Sequence, residues 1–253
     1  MWLVLGLEGA GRPPYPGLTR ALHAAGFVTA GMHVRGTGLS SGPRGDVTDF
    51  ALALSDYRLY LEHLQSRFAR IFLLGQSAGA AFALELAAST AVALAGIVLV
   101  NPAWRLTRTR GMGPSLGDYG RYAANCLFRR SVPTVDMNAN PGAIAFPPDR
   151  EEAEAMRRDP TVVRWFSIRA LLGLRRVMRR CGRNIARAKA PLLLVQGAHD
   201  ALVDPASYEA LLRLAAVEDK GLIVAPAGGH GSSAVESSVE PIVRWLVAHK
   251  SSG

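Results

Sequence analysis

The sequence predicts an α/β fold in which a mostly parallel sheet is covered by helices on both faces. Three observations predict it. Short apolar runs alternate with helical repeats up to about residue 101, the alternation returns after residue 186, and the apolar runs are continuous. Strands buried on both faces need continuous apolar runs, whereas strands with one solvated face alternate apolar and polar residues. With 253 residues, the chain is long enough for one sizeable core.

The predicted elements follow one another in a regular order. Apolar runs predict strands at 2–6, 27–34, 70–74, 96–100, 191–197 and 221–226. Apolar residues recurring every three or four positions predict helices at 15–26, 50–68, 78–89, 205–216 and 237–249.

The middle of the chain differs from both ends. Residues 103–185 contain no run typical of a strand and are rich in Arg, Gly and Pro. We therefore divide the chain into a core, residues 1–103 and 186–253, and an Arg-rich cap or lid insertion, residues 104–185. The insertion holds 16 arginines and 7 acidic residues, so it carries the whole net charge of +9. Two alternatives explain this excess of positive charge: codon bias, or an electropositive lobe that faces an anionic partner.

Three segments match the pattern G-x-S-x-G, which marks a serine nucleophile on a strand-to-helix turn. They are centred on Ser40, Ser77 and Ser115. Only Ser77 follows a predicted strand and precedes a predicted helix, which would point its N–H groups at a developing oxyanion. We therefore predict that Ser77 is the nucleophile; the alternative is a serine that only caps the helix.

A serine nucleophile needs a base, and the base needs a group that orients it. Asp200 follows the strand at 191–197, and His230 follows the strand at 221–226. Both lie where the order Ser, acid, His would place them. Asp204 competes for the acid role, but its position before Pro205 is typical of a helix cap. His199 lies in the loop of the acid and is expected to point elsewhere.

These segments resemble the α/β-hydrolase superfamily, and within it the monoacylglycerol lipase and lysophospholipase group of serine hydrolases. The resemblance rests on GLSSGPRGDVTDF, GQSAG, GAHDALVDP, GGHGSS and the end of the insertion, RRDPTVVRWFSIRALLGLRRVM. It implies an α/β-hydrolase fold with an inserted helical cap. Because this family normally has two strands before the first one predicted here, we expect the N-terminal strands of the usual sheet to be missing. It also implies an oxyanion hole built from the backbone N–H groups of Leu7 and Ala78. The chain departs from the family pattern at Leu5, where a histidine is usual, and at His33, where an aspartate is usual.

The resemblance implies a serine esterase that forms an acyl-enzyme on a monoacylglycerol-like or lysophospholipid-like lipid ester. The alternatives are an esterase, thioesterase or amidase for small soluble substrates, and a hydrolase-fold binding protein without catalysis. We expect no cofactor, no metal and no nucleic-acid partner. Two cysteines far apart and the lack of a transmembrane run favour a cytoplasmic location.

The arginines near the end of the insertion share one side of a helical wheel. On one helix over residues 164–183, they occupy an arc of about 160°. They are Arg164, Arg169, Arg175, Arg176, Arg179, Arg180 and Arg183. One interpretation is a core-packing helix with a solvated charged face. The other is an amphipathic lid whose arginines make peripheral contact with anionic membrane lipid.

Overall fold

The computed structural model of the protein describes residues 2–7, 15–47, 49–107, 124–125, 127–136 and 146–250. These residues form a six-stranded sheet in which all neighbouring strands are parallel, in the order β2-β1-β3-β4-β7-β8. Its strands are Trp2–Leu7 (β1), Phe27–Gly31 (β2), Arg70–Gln76 (β3), Leu94–Val100 (β4), Leu192–Gly197 (β7) and Lys220–Ala225 (β8). A second sheet pairs Pro133–Asp136 (β5) with Trp165–Ser167 (β6). The predicted parallel α/β architecture is confirmed.

Helices connect the strands and cover both faces of the large sheet. Along the chain they span Pro16–Ala24 (α1), Phe50–Gln65 (α2), Ala78–Ala87 (α3), Pro147–Arg158 (α4), Ile168–Arg179 (α5), Cys181–Ile185 (α6), Ala206–Leu214 (α7), Ser232–Glu236 (α8) and Val239–Ala248 (α9). Local signals explain some of these bounds. Asp49 begins α2 by accepting hydrogen bonds from the N–H groups of Ala51 and Leu52.

The two-residue period of the strands divides the core into two layers. In β3, Ile71 and Leu73 pack on the side of α2, α3 and α7, whereas Phe72 and Leu74 pack on the side of α1, α8 and α9. Strands β4 and β7 divide their side chains in the same way. Each such leucine, fully buried, contributes roughly 1.5–3 kcal/mol. The continuous apolar runs are therefore explained by burial on both faces of the sheet.

The expectation that residues 103–185 contain no strand was wrong, because β5 and β6 form an antiparallel pair there. These strands have four and three residues, too few for an apolar run to stand out. The pair is anchored to the core, since the N–H of Ser167 donates to Gly45 O. The division of the chain into core and cap at residues 104 and 185 stays a prediction.

The single helix assumed over residues 164–183 is also corrected. Residues 165–167 are the strand β6, the helix α5 begins after Ser167, and a new helix begins after Arg180. The hydroxyl of Ser167 accepts a hydrogen bond from the N–H of Ala170 and so caps α5. Because Arg164 lies before β6, it is not part of the helix that Ser167 caps and does not share the arc of arginines.

The apolar side of α5 and α6 packs into the core rather than standing apart as a lid. Val177, Cys181 and Ile185 belong to the same buried cluster as the side chains of α3. Burial raises the pKa of the Cys181 thiol to about 12, so this cysteine stays neutral. The arginines at 175, 176, 179, 180 and 183 are exposed. This packing favours the interpretation of a core helix with a solvated charged face.

A buried carboxylate ties α5 to the loop between β2 and α2. Asp46 is only 4% exposed and accepts hydrogen bonds from the Ser167 hydroxyl and the Arg169 guanidinium. Burial acts to raise the pKa of Asp46, but the bonds from Arg169 and Ser167 outweigh it and hold the pKa below its usual value. The carboxylate therefore stays charged and paired.

Candidate active site

Ser77 lies on a tight turn between β3 and α3, at the carboxyl edge of the large sheet. Its φ angle is 52° and its ψ angle is −116°, a strained backbone for a residue with a side chain. The turn brings strand and helix very close together. A Cβ atom on Gly75 would lie 2.5 Å from the carbonyl oxygen of Gly79, so only glycine fits there. These features are those of a nucleophile elbow.

The structure brings Ser77, His230 and Asp200 together in one chain of hydrogen bonds. His230 Nε2 lies 2.8 Å from Ser77 Oγ, and His230 Nδ1 lies 3.0 Å from Asp200 Oδ2. The Asp200 side chain is 2% exposed and that of His230 is 13% exposed. The three residues follow β3, β7 and β8, whose carboxyl ends meet at one edge of the sheet. A serine, a histidine and a buried aspartate are thus in contact, in the order that the sequence predicts for a nucleophile, a base and an orienting acid.

The two candidate acids have different surroundings. Asp200 Oδ1 accepts hydrogen bonds from the N–H groups of Leu202 and Val203, which leaves Oδ2 directed at His230. Asp204 instead accepts from the N–H of Ala206 at the start of α7. The imidazole of His199 stacks on the ring of Phe146, with ring centroids 5.0 Å apart. The contacts therefore single out Asp200 as the partner of His230.

The backbone of the predicted oxyanion hole lies beside the serine. Ala78 is the first residue of α3, where helix N–H groups have no partner within the helix. Leu7 is the last residue of β1 and pairs in register with Gly75, two residues before Ser77. His33, the second departure from the family pattern, accepts a hydrogen bond from the N–H of Leu39 through Nδ1. It thus braces its own loop.

The other two G-x-S-x-G matches do not join this site. Ser40 donates from its hydroxyl to His33 O, within the loop that precedes α2. The match centred on Ser115 lies outside the described residues. Within the described ranges, no group of three or more His, Cys, Asp or Glu side chains could hold a metal ion.

Sequence reasoning missed the residue that joins the loops of the site, Asn101. It follows β4, is fully buried and has a φ angle of 44°. Its amide nitrogen donates to the carbonyl oxygens of Gly229, at 2.8 Å, and His230, at 3.2 Å. Its amide oxygen accepts from the N–H of Gly197, at 2.8 Å, and the hydroxyl of Tyr208, at 3.0 Å. The available signal was an asparagine at the carboxyl end of a buried strand.

Two further side chains lie against this site: Gln76 contacts the loop that carries His230, called the histidine loop below, and Tyr208 lies near the Asp200 carboxylate. Gln76, inside the elbow motif, donates from Nε2 to His230 O and Gly231 O, and its amide oxygen accepts from the Tyr15 hydroxyl. Burial, followed by the nearby Asp200 carboxylate, raises the pKa of Tyr208 far above its usual value. Tyr208 therefore keeps its proton and remains a hydrogen-bond donor.

Known proteins with similar sequences include several lipases of monoacylglycerols. Human monoglyceride lipase is 27% identical over 85% of this chain and 69% of its own length. The monoacylglycerol lipase of Mycolicibacterium smegmatis is 26% identical over 96% of this chain and 85% of its own. Mouse monoglyceride lipase is 28% identical, and the match spans 63% of its length.

Solved structures share the fold at lower identity. Paleococcus ferrophilus monoacylglycerol lipase superposes with a TM-score of 0.77 at 24% identity, covering 98% of this chain and 95% of that one. A soluble variant of the monoglyceride lipase from Saccharomyces cerevisiae gives 0.78 at 19%, covering 99% and 87%. The family model for Hydrolase_4, described as "Serine aminopeptidase, S33", matches residues 9–234. Because that match covers most of the chain, this protein belongs to the Hydrolase_4 family of α/β-hydrolases.

Proposed function

We propose that this serine hydrolase cleaves carboxylic esters through an acyl-enzyme. The observation that carries the proposal is the hydrogen-bonded chain from Ser77 through His230 to the buried Asp200. A serine hydroxyl is a weak nucleophile at its free pKa, and contact with an oriented imidazole is the usual means of activating it. The strained turn that presents Ser77 supports the same role.

The mechanism has two steps. Ser77 Oγ attacks the ester carbonyl carbon while His230 Nε2 takes the hydroxyl proton, and that proton then passes to the leaving alcohol. Asp200 holds the Nδ1 proton and stabilises the imidazolium. The N–H groups of Leu7 and Ala78 bind the oxyanion. Water, deprotonated by the same imidazole, then attacks the acyl-enzyme; the bond from the acyl carbon to Ser77 Oγ breaks, the imidazolium returns its proton to Oγ, and the carboxylic acid leaves.

For the substrate we propose a monoacylglycerol-like or lysophospholipid-like lipid ester. Support comes from the names of the similar proteins, which are monoglyceride and monoacylglycerol lipases. The family description suggests an aminopeptidase instead. An amidase is therefore the alternative, and the substrate comparison below separates it from an esterase.

The test compares the wild-type protein with Ser77→Ala. A fluorophosphonate probe is expected to label the wild type and not the variant. Hydrolysis is then followed on p-nitrophenyl esters of increasing acyl length, a matched thioester and an aminoacyl p-nitroanilide. Hydrolysis rates that increase with acyl length up to medium or long chains would support a lipid ester. Cleavage of the anilide faster than of the esters would point to a peptidase. Well-folded wild type that resists labelling would favour a binding protein without catalysis.

A second observation concerns lipid surfaces. Leu127 is 75% exposed and Phe128 is 83% exposed, and the exposed Arg129 and Arg130 follow them directly. Large apolar side chains beside cations are typical of peripheral contact with anionic lipid. Within the described residues, no helix combines the length and the apolar character needed to cross a bilayer. We propose that the protein is cytoplasmic and contacts the membrane peripherally through this patch.

The patch is tested by co-sedimentation with vesicles. We expect the protein to bind vesicles with phosphatidylserine more tightly than vesicles of phosphatidylcholine alone. The double variant Leu127→Ser, Phe128→Ser should lose most binding, because each buried side chain contributes roughly 1.5–3 kcal/mol. The double variant Arg175→Ala, Arg176→Ala is the control for charge elsewhere on the insertion. Loss of binding in this pair, with little loss in Leu127→Ser, Phe128→Ser, would show that net charge and not this patch attracts lipid.

A further inference from the structure

The loop that carries His230 is capped by side chains from a distant part of the chain. Helix α8 begins directly after this loop, and its N-cap residue, Gly231, has no side chain that could accept from the first N–H groups. Asp149 fills this role. Its Oδ2 accepts from the N–H of Gly231, at 3.0 Å, and its Oδ1 accepts from the N–H of Ser233, at 3.1 Å. Glu152 Oε2 accepts from the N–H of Ser232, at 3.2 Å.

Asp149 is built into this position. It lies in the first turn of α4 and is only 3% exposed. The histidine loop makes room for it with glycines, since a Cβ on Gly229 would lie 2.1 Å from Asp149 Oδ2 and one on Gly231 would lie 2.6 Å from Asp149 Oδ1. A buried carboxylate is costly unless hydrogen bonds compensate its charge. The N–H groups of the histidine loop provide that compensation.

The histidine is consequently fixed on both sides. The core holds its carbonyl group, because Gln76 and Asn101 donate to His230 O. Asp149 holds the next N–H along the chain, that of Gly231. Phe146, just before α4, stacks on His199, the neighbour of Asp200. The start of α4 therefore contacts both the loop of the base and the loop of the acid.

We propose that Asp149 is a positioning residue for His230, which couples the placement of α4 to the alignment of the base. The inference rests on the proposed function of Ser77, His230 and Asp200. The distance of 2.8 Å between His230 Nε2 and Ser77 Oγ allows proton transfer, and small displacements of a catalytic group are costly in rate. By accepting from the Gly231 N–H, Asp149 keeps the imidazole at that distance. This role requires no contact between Asp149 and the substrate.

The first test is Asp149→Asn. Asparagine has nearly the same shape, but only its Oδ1 accepts, so Gly231 or Ser233 loses its acceptor. We expect kcat on p-nitrophenyl butyrate to fall about 10- to 100-fold, as for a misplaced catalytic group. KM should change less than about threefold, because substrate binding is not altered. The rate constant of fluorophosphonate labelling should fall by the same factor as kcat.

Asp46→Asn is the matched control. Asp46 is as buried as Asp149 and also joins the inserted segment to the core, but it contacts Ser167 and Arg169 instead of the histidine loop. Its replacement should lower the melting temperature and leave kcat within about threefold. An equal loss of kcat in both variants, or no loss in Asp149→Asn, would overturn the inference. If Asp149→Asn does not fold, Asp149→Glu, which keeps the charge but moves both oxygens, takes its place.

A spectroscopic measurement separates this inference from the proposed function. The Nδ1 proton between His230 and Asp200 is expected to give a far-downfield proton resonance, which can be recorded without turnover. We expect Asp149→Asn to shift or broaden it and Asp46→Asn to leave it unchanged. If the wild-type protein shows no Ser77-dependent labelling, the proposed function is contradicted. A resonance that changes in Asp149→Asn and not in Asp46→Asn would still support the positioning role of Asp149. An unchanged resonance together with normal labelling in Asp149→Asn would contradict positioning alone.

Discussion

Asp200→Asn is expected to lower kcat on p-nitrophenyl esters by about ten-thousand-fold, with KM little changed. The geometry gives the reason. Asp200 Oδ1 accepts from the N–H groups of Leu202 and Val203, and an asparagine oxygen would keep those two bonds. Its NH₂ group would then face His230 Nδ1, which lies 3.0 Å from Oδ2 in the present structure. Nδ1 would become an acceptor, and the ring proton would move to Nε2. In that tautomer His230 offers Ser77 a donor and cannot take its proton.

Asp204→Asn is the control for this variant. The chemical change is the same and the residue lies in the same loop, but the Asp204 carboxylate accepts from the N–H of Ala206 at the start of α7 and not from His230. Asparagine caps helices as well as aspartate, so kcat should stay within about twofold and stability should change by less than about 0.5 kcal/mol. Steady-state kinetics and urea unfolding measure both. A larger loss of kcat in Asp204→Asn than in Asp200→Asn would show that the acid is wrongly assigned.

The sequence predicted these residues because position along the chain reflects position in this fold. Parallel strands end at one edge of the sheet, so side chains that follow β3, β7 and β8 approach one another although they are far apart in sequence. Residue types then restrict the choice, since a serine needs a base and the base needs an acid. Ser77, Asp200 and His230 were found in this way, whereas Asp204 was set aside because its position before Pro205 is typical of a helix cap. Their catalytic roles stay predictions until the variants are measured.

The supporting contacts could not be predicted in the same way. Asp149 reaches residues 82 and 84 positions later in the chain, and its residue type fits an ordinary first turn of a helix equally well. No periodic pattern places α4 against the histidine loop. The strands β5 and β6 were missed because short strands are specified by their partners, here Gly45 and each other, rather than by their own composition. Tertiary contacts decide such elements.

Asn101 should matter most for stability. Its replacement by alanine removes one hydrogen bond from each of four groups, namely the N–H of Gly197, the hydroxyl of Tyr208 and the carbonyl oxygens of Gly229 and His230, of which His230 O keeps Gln76 as a donor. At about 1 kcal/mol or more for each group, we expect Asn101→Ala to lower the free energy of unfolding by about 4 kcal/mol. The kcat should fall too, because His230 loses one of the donors that hold its backbone. Urea unfolding followed by circular dichroism measures the first effect.

The variant Asn101→Gly separates the two causes of this loss, which are the missing hydrogen bonds and the backbone strain of alanine at a positive φ angle. Asn101 has a φ angle of 44°, which glycine adopts freely and alanine adopts at a cost of roughly 1 kcal/mol. Glycine removes the same hydrogen bonds without that strain. However, its unfolded chain is more flexible, which lowers stability by a smaller amount. We therefore expect glycine to be no less stable than alanine at this position, although it is usually worse elsewhere. If both variants unfold within about 1 kcal/mol of wild type, the buried network does not stabilise the fold. If both variants are strongly destabilised, and Asn101→Gly is no less stable than Asn101→Ala, the hydrogen bonds of the Asn101 amide hold β4, β7 and the loop that carries His230 together as one cooperative unit.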